Sequence, residues 1–317
     1  MYLMTERVNA VLLDSATLGE GTALDPFVFL PIDLTVYEQT TTEQVSERIA
    51  NADIVLTNKV VLNADTLRLA SQLKYVGVLA TGMNNVDLAA ASEQGITVRN
   101  VAGYSTVSVA QHTMAMILSL AQSLPAYHSD VMNGVWQKSE MFCRLDHPVM
   151  ELTGKKLLIV GYGALGQATA RLAEAFGMDV YKARVPGSES ASDDRIELDE
   201  GLALADVVSL HCPLTEDTRH LIDARRLSLM KSHALLINTA RGGIVDEQAL
   251  AEALQTGILG GAGFDVLTTE PPVSGNPLLQ ISSPNFILTP HCAWGSPESR
   301  NRVVELAADY LKAFLDQ

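Results

Sequence analysis

The stretch KKLLIVGYGALGQATARLAEAFG, residues 155–177, decides the fold prediction for this chain. The run LLIV before Gly161 is typical of a buried strand, and the residues after Gly166 have the composition of a helix. The glycines therefore lie on a turn from strand to helix, the context in which this spacing binds a dinucleotide. Gly161 permits the tight turn, Gly163 lets a pyrophosphate approach the backbone, and Gly166 lets helix and strand pack closely.

Strands and helices are predicted to alternate on both sides of this stretch. The predicted strands cover residues 9–15, 35–39, 53–58, 75–80, 96–101, 156–161, 179–183, 206–211, 234–240, 261–266 and 286–290. Such alternation predicts an α/β fold with parallel sheets covered on both faces. Between the two series, residues 105–127 predict one long helix, apolar almost all round and therefore buried between domains.

Composition narrows the class of protein. The 317 residues suit one large or two medium domains, and no apolar run reaches the ~18 residues of a membrane helix. The formal charge of −15 argues against nucleic acid and anionic membranes as partners. The three cysteines are scattered, which predicts no disulfide framework and no cysteine metal site; we expect a cytoplasmic protein without a metal or a secretory signal.

The position that usually recognises the ribose of a nicotinamide dinucleotide carries no carboxylate. An NAD-binding unit usually places Asp or Glu after its second strand, whereas Arg184 follows the predicted strand 179–183. An arginine suits a 2′-phosphate, which a carboxylate would repel. This favours NADP(H) over NAD(H), with Arg184 on the 2′-phosphate and Ser188 assisting. The alternative is that Arg184 points to solvent or stacks on adenine.

Three chemically suited side chains follow strands of the second series, namely Arg241, Glu270 and His291. Open α/β sheets build their sites at the carboxyl ends of strands. A hydride that arrives at a carbonyl carbon leaves an alkoxide, which a histidine can protonate near neutral pH. A carboxylate beside the imidazole would fix its tautomer, and an arginine would hold a substrate carboxylate at two points. Taken singly, each residue also fits an ordinary surface or loop position.

These segments give the chain a family resemblance. It resembles the D-isomer-specific 2-hydroxyacid dehydrogenases over nearly its whole length, at residues 80–87, 160–178, 211–222, 236–250, 263–272 and 289–296. The resemblance implies that Arg241, Glu270 and His291 are catalytic. It also implies that Thr81 and Gly82, together with Arg241, bind the substrate carboxylate. The cofactor-binding residues it implies, with the glycine loop included, are Gly161, Gly163, Ala164, Leu165, Gly166, Cys212, Pro213, Thr239, Ala240, Asp265 and His291. Arg184, predicted above to bind the cofactor, departs from the family, in which many members carry an acidic residue at this position.

The resemblance also implies the domain organisation. A Rossmann cofactor domain (102–290) would be inserted into a flavodoxin-like substrate domain (1–101 and 291–317), giving two doubly wound parallel-sheet domains with hinges at the crossings. In the family the long helix forms a homodimer interface, with residues 128–150 reaching toward the partner. The alternative is that the helix is buried within one subunit.

Within the family, the chain is most similar to the glycerate dehydrogenase, or hydroxypyruvate reductase, branch. The stretch 80–113 and the tryptophan three residues after His291 carry this similarity. The expected substrate is hydroxypyruvate, with glyoxylate as a second small anionic 2-oxo acid. A D-3-phosphoglycerate dehydrogenase-like enzyme and a non-catalytic, cofactor-sensing protein like the transcriptional co-repressors are the alternatives.

Overall fold

The computed structural model describes residues 8–188 and 194–317 and divides into two compact units. The first unit comprises Met1–Ser105 and Trp294–Gln317, and the second comprises Thr106–Ala293. Both boundaries fall a few residues after those predicted, so that His291 belongs to the second unit. The backbone N–H of His291 donates to the carbonyl of Asp265 at 2.8 Å, which ties this segment to the sheet of the second unit.

The first unit is built on a five-stranded parallel sheet. Its strands are Val8–Leu12 (β1), Ile32–Val36 (β2), Ile54–Thr57 (β3), Tyr75–Val78 (β4) and Thr97–Asn100 (β5). Its helices are Asp25–Val28 (α1), Thr42–Ile49 (α2), Ala64–Leu69 (α3), Leu88–Glu93 (α4) and Pro297–Leu315 (α11). The order β2-β1-β3-β4-β5 is flavodoxin-like, as predicted.

The second strand of this sheet lies about three residues earlier than predicted. It begins directly after Pro31 and pairs Ile32 with Val8. Ile32 is buried in the core, whereas Thr35 and Val36 are exposed. Burial of Ile32 therefore sets the position of the strand, and the apolar character of Val36 does not.

The second unit is built on a seven-stranded parallel sheet. Its strands are Lys156–Val160 (β6), Asp179–Ala183 (β7), Arg195–Ile196 (β8), Val207–Leu210 (β9), Leu235–Asn238 (β10), Gly261–Phe264 (β11) and Phe286–Leu288 (β12). Its helices are Thr106–Ala121 (α5), Leu124–Met132 (α6), Ala164–Ala175 (α7), Leu198–Leu204 (α8), Ala224–Leu229 (α9) and Glu247–Gln255 (α10).

The order β12-β11-β10-β9-β6-β7-β8 is that of a doubly wound sheet. The chain starts at β6, runs to one edge, then restarts beside β6 with β9, so the topological switch point lies between these two strands. β9, β10 and β11 are buried along their whole length, as expected for parallel strands covered on both faces. The two-residue strand β8 was too short to predict.

The single long helix predicted over residues 105–127 is wrong, because the structure contains two helices there. α5 ends at Ala121 and α6 begins at Leu124. Ser123 has a left-handed backbone (φ 48°), and Pro125 occupies the first turn of α6, where a missing N–H costs nothing. α5 buries Met114 and Ile117 in the core of the second unit itself.

Candidate active site

The glycine loop joins β6 to α7. Gly161 has φ 99°, and a Cβ there would lie 2.5 Å from the backbone nitrogen of Cys212. A Cβ on Gly166 would lie 2.2 Å from the carbonyl oxygen of Gly161. At Gly163, by contrast, a Cβ would meet nothing within 4 Å. Close packing thus requires two of the glycines, while the third borders open space at the start of α7.

That open space suits a phosphate. Ala164 and Leu165 are the first residues of α7, so their N–H groups belong to the first turn, which intrahelical bonding leaves without acceptors. The residues present therefore fit the pyrophosphate of a dinucleotide.

The segment after β9 contacts the end of β6 at the switch point. The N–H of His211 donates to the carbonyl of Val160 at 2.7 Å, which joins the ends of β9 and β6. Burial lowers the pKa of the His211 ring to about 4. Burial also raises the pKa of the Cys212 thiol to about 11, so this side chain packs as a neutral group. Pro213 is exposed, beside Cys212.

A cavity of about 590 Å³ lies beyond the end of β7. The residues that line it include Arg184, Ser188, Glu197 and Arg226. The Nε of Arg184 donates to Oε1 of Glu197 at 2.8 Å. Sequence reasoning found no carboxylate at this position, yet Glu197, the residue before α8, supplies one to the same cavity. No spacing rule connects a residue 13 positions away with the end of β7.

The predicted catalytic residues follow three neighbouring strands: Arg241 follows β10, Glu270 follows β11 and His291 follows β12. The carboxylate of Glu270 bridges its own loop and the imidazole. Its Oε1 accepts the N–H of Leu267 at 2.8 Å, and its Oε2 lies 2.6 Å from Nδ1 of His291. The structure thus brings together the histidine and carboxylate that the sequence only placed at separate strand ends.

Asp265 holds the loop that carries His291. This side chain is 1% exposed, and its carboxylate accepts the backbone N–H groups of Cys292 at 2.9 Å and Ala293 at 2.8 Å. His291 itself has a left-handed backbone, with φ 53°. Such a conformation is unfavourable for a residue with a Cβ and persists only where surrounding contacts impose it.

Hydrogen bonds and close packing fix the turn that carries Arg241. The amide of Asn238 donates to the carbonyl of Arg241 at 2.8 Å, and Nη1 of Arg241 donates to the carbonyl of Ala240 at 2.7 Å. A Cβ on Gly242 would lie 2.0 Å from the carbonyl carbon of Leu267. The turn of Arg241 therefore packs directly on the segment that precedes Glu270.

Residues 114–293 match the NAD binding domain of the D-isomer specific 2-hydroxyacid dehydrogenases. The chain belongs to this family. It is therefore an oxidoreductase that acts on a CH–OH group with a nicotinamide cofactor, and the prediction of family and fold class is confirmed.

Two relatives within the family are similar to this chain over most of its length. The chain is 43% identical to a glycerate dehydrogenase of Methylorubrum extorquens, over 98% of this chain and 97% of that protein. It is 39% identical to a hydroxypyruvate reductase of Blautia hydrogenotrophica, over 88% of each chain.

Two solved structures share the fold of the whole dehydrogenase. An acyclic imino acid reductase, Bsp5, in complex with NADPH and D-Arg has a TM-score of 0.86 and 26% identity, covering 98% of this chain and 97% of that one. A D-lactate dehydrogenase of Aquifex aeolicus complexed with NAD and lactic acid has a TM-score of 0.83 and 30% identity, covering 96% and 95%. The same fold therefore binds NADPH in one of these proteins and NAD in the other.

Thr81 and Gly82 of the dehydrogenase lie in the first unit, after β4. The side-chain amide of Asn100 donates to the carbonyl of Thr81 at 2.6 Å, and the Thr81 hydroxyl donates to the carbonyl of Val101 at 3.2 Å. The neighbouring strand β5 thus holds this loop in place.

One group of side chains in the described parts of the dehydrogenase could approach a metal ion. His112, Asp265 and Cys292 place a ring nitrogen, a carboxylate oxygen and a thiol within 4.8 Å of one another. The Asp265 oxygens already accept two backbone N–H groups and the hydroxyl of Thr289. Burial, reinforced by the Asp265 charge, raises the pKa of the Cys292 thiol. This chemistry suits a hydrogen-bonded cluster better than a metal site.

No helix in residues 8–188 or 194–317 combines the length and the apolar character needed to cross a membrane.

Proposed function

We propose that this dehydrogenase reduces hydroxypyruvate, and glyoxylate as a smaller substrate, to the corresponding 2-hydroxy acid. The hydrogen-bonded pair of Glu270 and His291 at the carboxyl edge of the sheet is the observation that carries the proposal. The names of the two relatives, glycerate dehydrogenase and hydroxypyruvate reductase, support the choice of substrate. The second unit would hold the cofactor, and the first would bind the substrate.

The nicotinamide, when bound, supplies the hydride for C2 of the 2-oxo acid. Arg241 holds the substrate carboxylate through two N–H groups, assisted by the backbone N–H groups of Thr81 and Gly82. His291 gives a proton to the oxygen on C2. Because Nδ1 faces Glu270 at 2.6 Å, the donated proton comes from Nε2, and the carboxylate stabilises the charged imidazolium.

The remaining predicted contacts concern the cofactor. Gly161, Gly163, Ala164, Leu165 and Gly166 would bind the pyrophosphate through backbone N–H groups. Cys212, Pro213 and Asp265 would lie beside the nicotinamide. The other residues proposed to bind the cofactor are Thr239, Ala240 and His291.

NADP(H) is the proposed preferred cofactor. Arg184 lines the cavity beyond β7, and its guanidinium is oriented by Glu197 at 2.8 Å. The ion pair is exposed, with about half of the Arg184 side chain and 70% of Glu197 accessible, so it is weak and a 2′-phosphate can displace the carboxylate. Glu197 would itself accept hydrogen bonds from the 2′-hydroxyl of NAD(H), which predicts measurable use of both cofactors.

A homodimer in the cytoplasm is the proposed state of the enzyme. Large apolar side chains are exposed along one segment of the second unit: Leu124, Val131, Met132, Trp136, Met141, Phe142, Leu145 and Val149. Extensive exposed apolar surface is typical of an interaction site. Burial against a second copy of the chain would remove it from water.

The proposed reaction is tested with a panel of 2-oxo acids, each assayed with NADPH and with NADH. Hydroxypyruvate with NADPH should give the highest kcat/KM. Preference for 3-phosphohydroxypyruvate would favour the phosphoglycerate dehydrogenase alternative. Cofactor binding without turnover of any acid would favour a cofactor-sensing protein.

The role of His291 is tested by His291→Asn, with His220→Asn as the matched control. Both histidines have left-handed backbones (φ 53° and 48°), a conformation that asparagine tolerates, and His220 is exposed. We expect kcat/KM to fall about 10²- to 10⁴-fold for His291→Asn and to stay unchanged for the control. Full activity in His291→Asn would contradict the assignment.

A further inference from the structure

Three hydrogen bonds join the helix α5 to two loops at the carboxyl edge of the sheet in the second unit. Ser108 Oγ donates to the carbonyl of Ala293 at 2.6 Å. His112 Nε2 lies 3.1 Å from Oγ1 of Thr289. The hydroxyls of Thr113 and Thr239 lie 3.0 Å apart. Two of these contacts lie at the ends of the loop that carries His291, and the third lies two residues before Arg241.

The contact of His112 continues into a chain of hydrogen bonds with a defined direction. Because a carboxylate only accepts hydrogen bonds, the hydroxyl of Thr289, 2.5 Å from Oδ1 of Asp265, donates its single proton to that oxygen. The carbonyl of Phe264, at 3.4 Å, is a more distant acceptor for the same proton. Oγ1 of Thr289 then has only acceptor capacity toward His112. The imidazole of His112 therefore carries a proton on Nε2 and donates it to Thr289.

We infer that His112 is a positioning residue for the proposed reaction. The loop from Thr289 to Ala293 holds His291 at φ 53°, a conformation that its own backbone disfavours. His112 fixes the first residue of this loop, and through Thr289 it also fixes Asp265, which holds Cys292 and Ala293. The chain of hydrogen bonds thus keeps the imidazole of His291 against Glu270. This inference rests on the proposed function.

Four variants test it in pairs. His112→Ala removes the donor, whereas His112→Gln retains a side-chain N–H; Thr289→Val removes the hydroxyl, whereas Thr289→Ser retains it. Gln111→Ala, an exposed position on the same helix, controls for general effects on α5. We expect kcat to fall about 10- to 100-fold in the Ala and Val variants, because small misplacements of a catalytic group have effects of this size. The Gln and Ser variants should keep kcat within about threefold of the wild type, as should Gln111→Ala.

A double-mutant analysis separates positioning from general stability. If His112 and Thr289 act through one chain, the variant that combines His112→Ala with Thr289→Val is no slower than the slower single variant. In a His291→Asn background, His112→Ala should cause no further loss of kcat. Multiplicative losses in either combination would overturn the inference.

Hydrogen exchange gives a readout that is independent of the substrate. The backbone N–H groups of Cys292 and Ala293 donate hydrogen bonds to the Asp265 carboxylate. Their protons should exchange faster in His112→Ala and Thr289→Val than in the wild type or Gln111→Ala. If the two variants exchange faster but the wild-type protein reduces no 2-oxo acid, the hydrogen-bond chain is upheld and the proposed function is rejected. If kcat and exchange in His112→Ala match those of Gln111→Ala, the inference is wrong.

Discussion

Burial of His211 makes the free energy of unfolding depend on pH. Its ring follows β9 at the switch point, where Nε2 lies 2.9 Å from the hydroxyl of Ser209. Nδ1 is buried and has no hydrogen-bond partner among the described residues. Burial lowers the pKa of the ring from 6.5 to about 4, because the charged form loses its hydration.

The sign of the effect follows from proton binding. Between pH 4 and 6.5 the unfolded chain binds a proton at His211 that the folded chain does not, so stability rises with pH over this interval. The contribution is complete above pH 6.5 and is lost as the pH falls to about 4. At about 1.4 kcal/mol for each pH unit, the whole interval corresponds to about 3 kcal/mol, and the part between pH 6.5 and 5 to about 2 kcal/mol.

The assay is urea unfolding of the wild type and of His211→Gln at pH 7 and at pH 5. The variant cannot take up the proton, so between these values it should lose about 2 kcal/mol less unfolding free energy than the wild type. The same substitution at exposed His220 is the control. Equal losses for the wild type and His211→Gln would show that the His211 ring is not buried in its neutral form, and the reasoning would fail.

Three further predictions concern the cofactor and the assembly. Arg184→Gln should lower kcat/KM for NADPH about tenfold or more and leave kcat/KM for NADH nearly unchanged, because a charge-assisted contact to phosphate is lost. Glu197→Gln should raise the ratio of kcat/KM with NADPH to kcat/KM with NADH. Steady-state kinetics with both cofactors measures this ratio for each variant. Gly166→Ala should abolish tight NADPH binding, followed by fluorescence titration, because the added Cβ would lie 2.2 Å from the carbonyl oxygen of Gly161; unchanged affinity would contradict the close packing of the loop. Phe142→Asp should convert the proposed dimer to monomers in analytical ultracentrifugation, because 93% of this side chain is exposed in the single chain; an unaltered sedimentation coefficient would place the interface elsewhere.

Much of the fold could be predicted from short-range patterns. Buried runs such as LLIV at β6 and the glycine spacing after it are local signals, because backbone conformation and turn chemistry depend on neighbouring residues. The boundary between α5 and α6 was not predicted, because the chain breaks at the left-handed backbone of Ser123, a conformation that a serine does not signal. The position of β2 was missed because burial in the core, and not the apolar character of single residues, selects the strand.

The sequence by itself determined that Arg241, Glu270 and His291 each follow a strand of a nucleotide-binding sheet. Only the tertiary structure decided which groups touch. Thr289 and His112 are 177 positions apart in the chain and 3.1 Å apart in the fold, and Glu197 reaches Arg184 from a different strand connection. The reason is that strand order and helix packing set distances across a sheet, and no regular spacing along the chain encodes them.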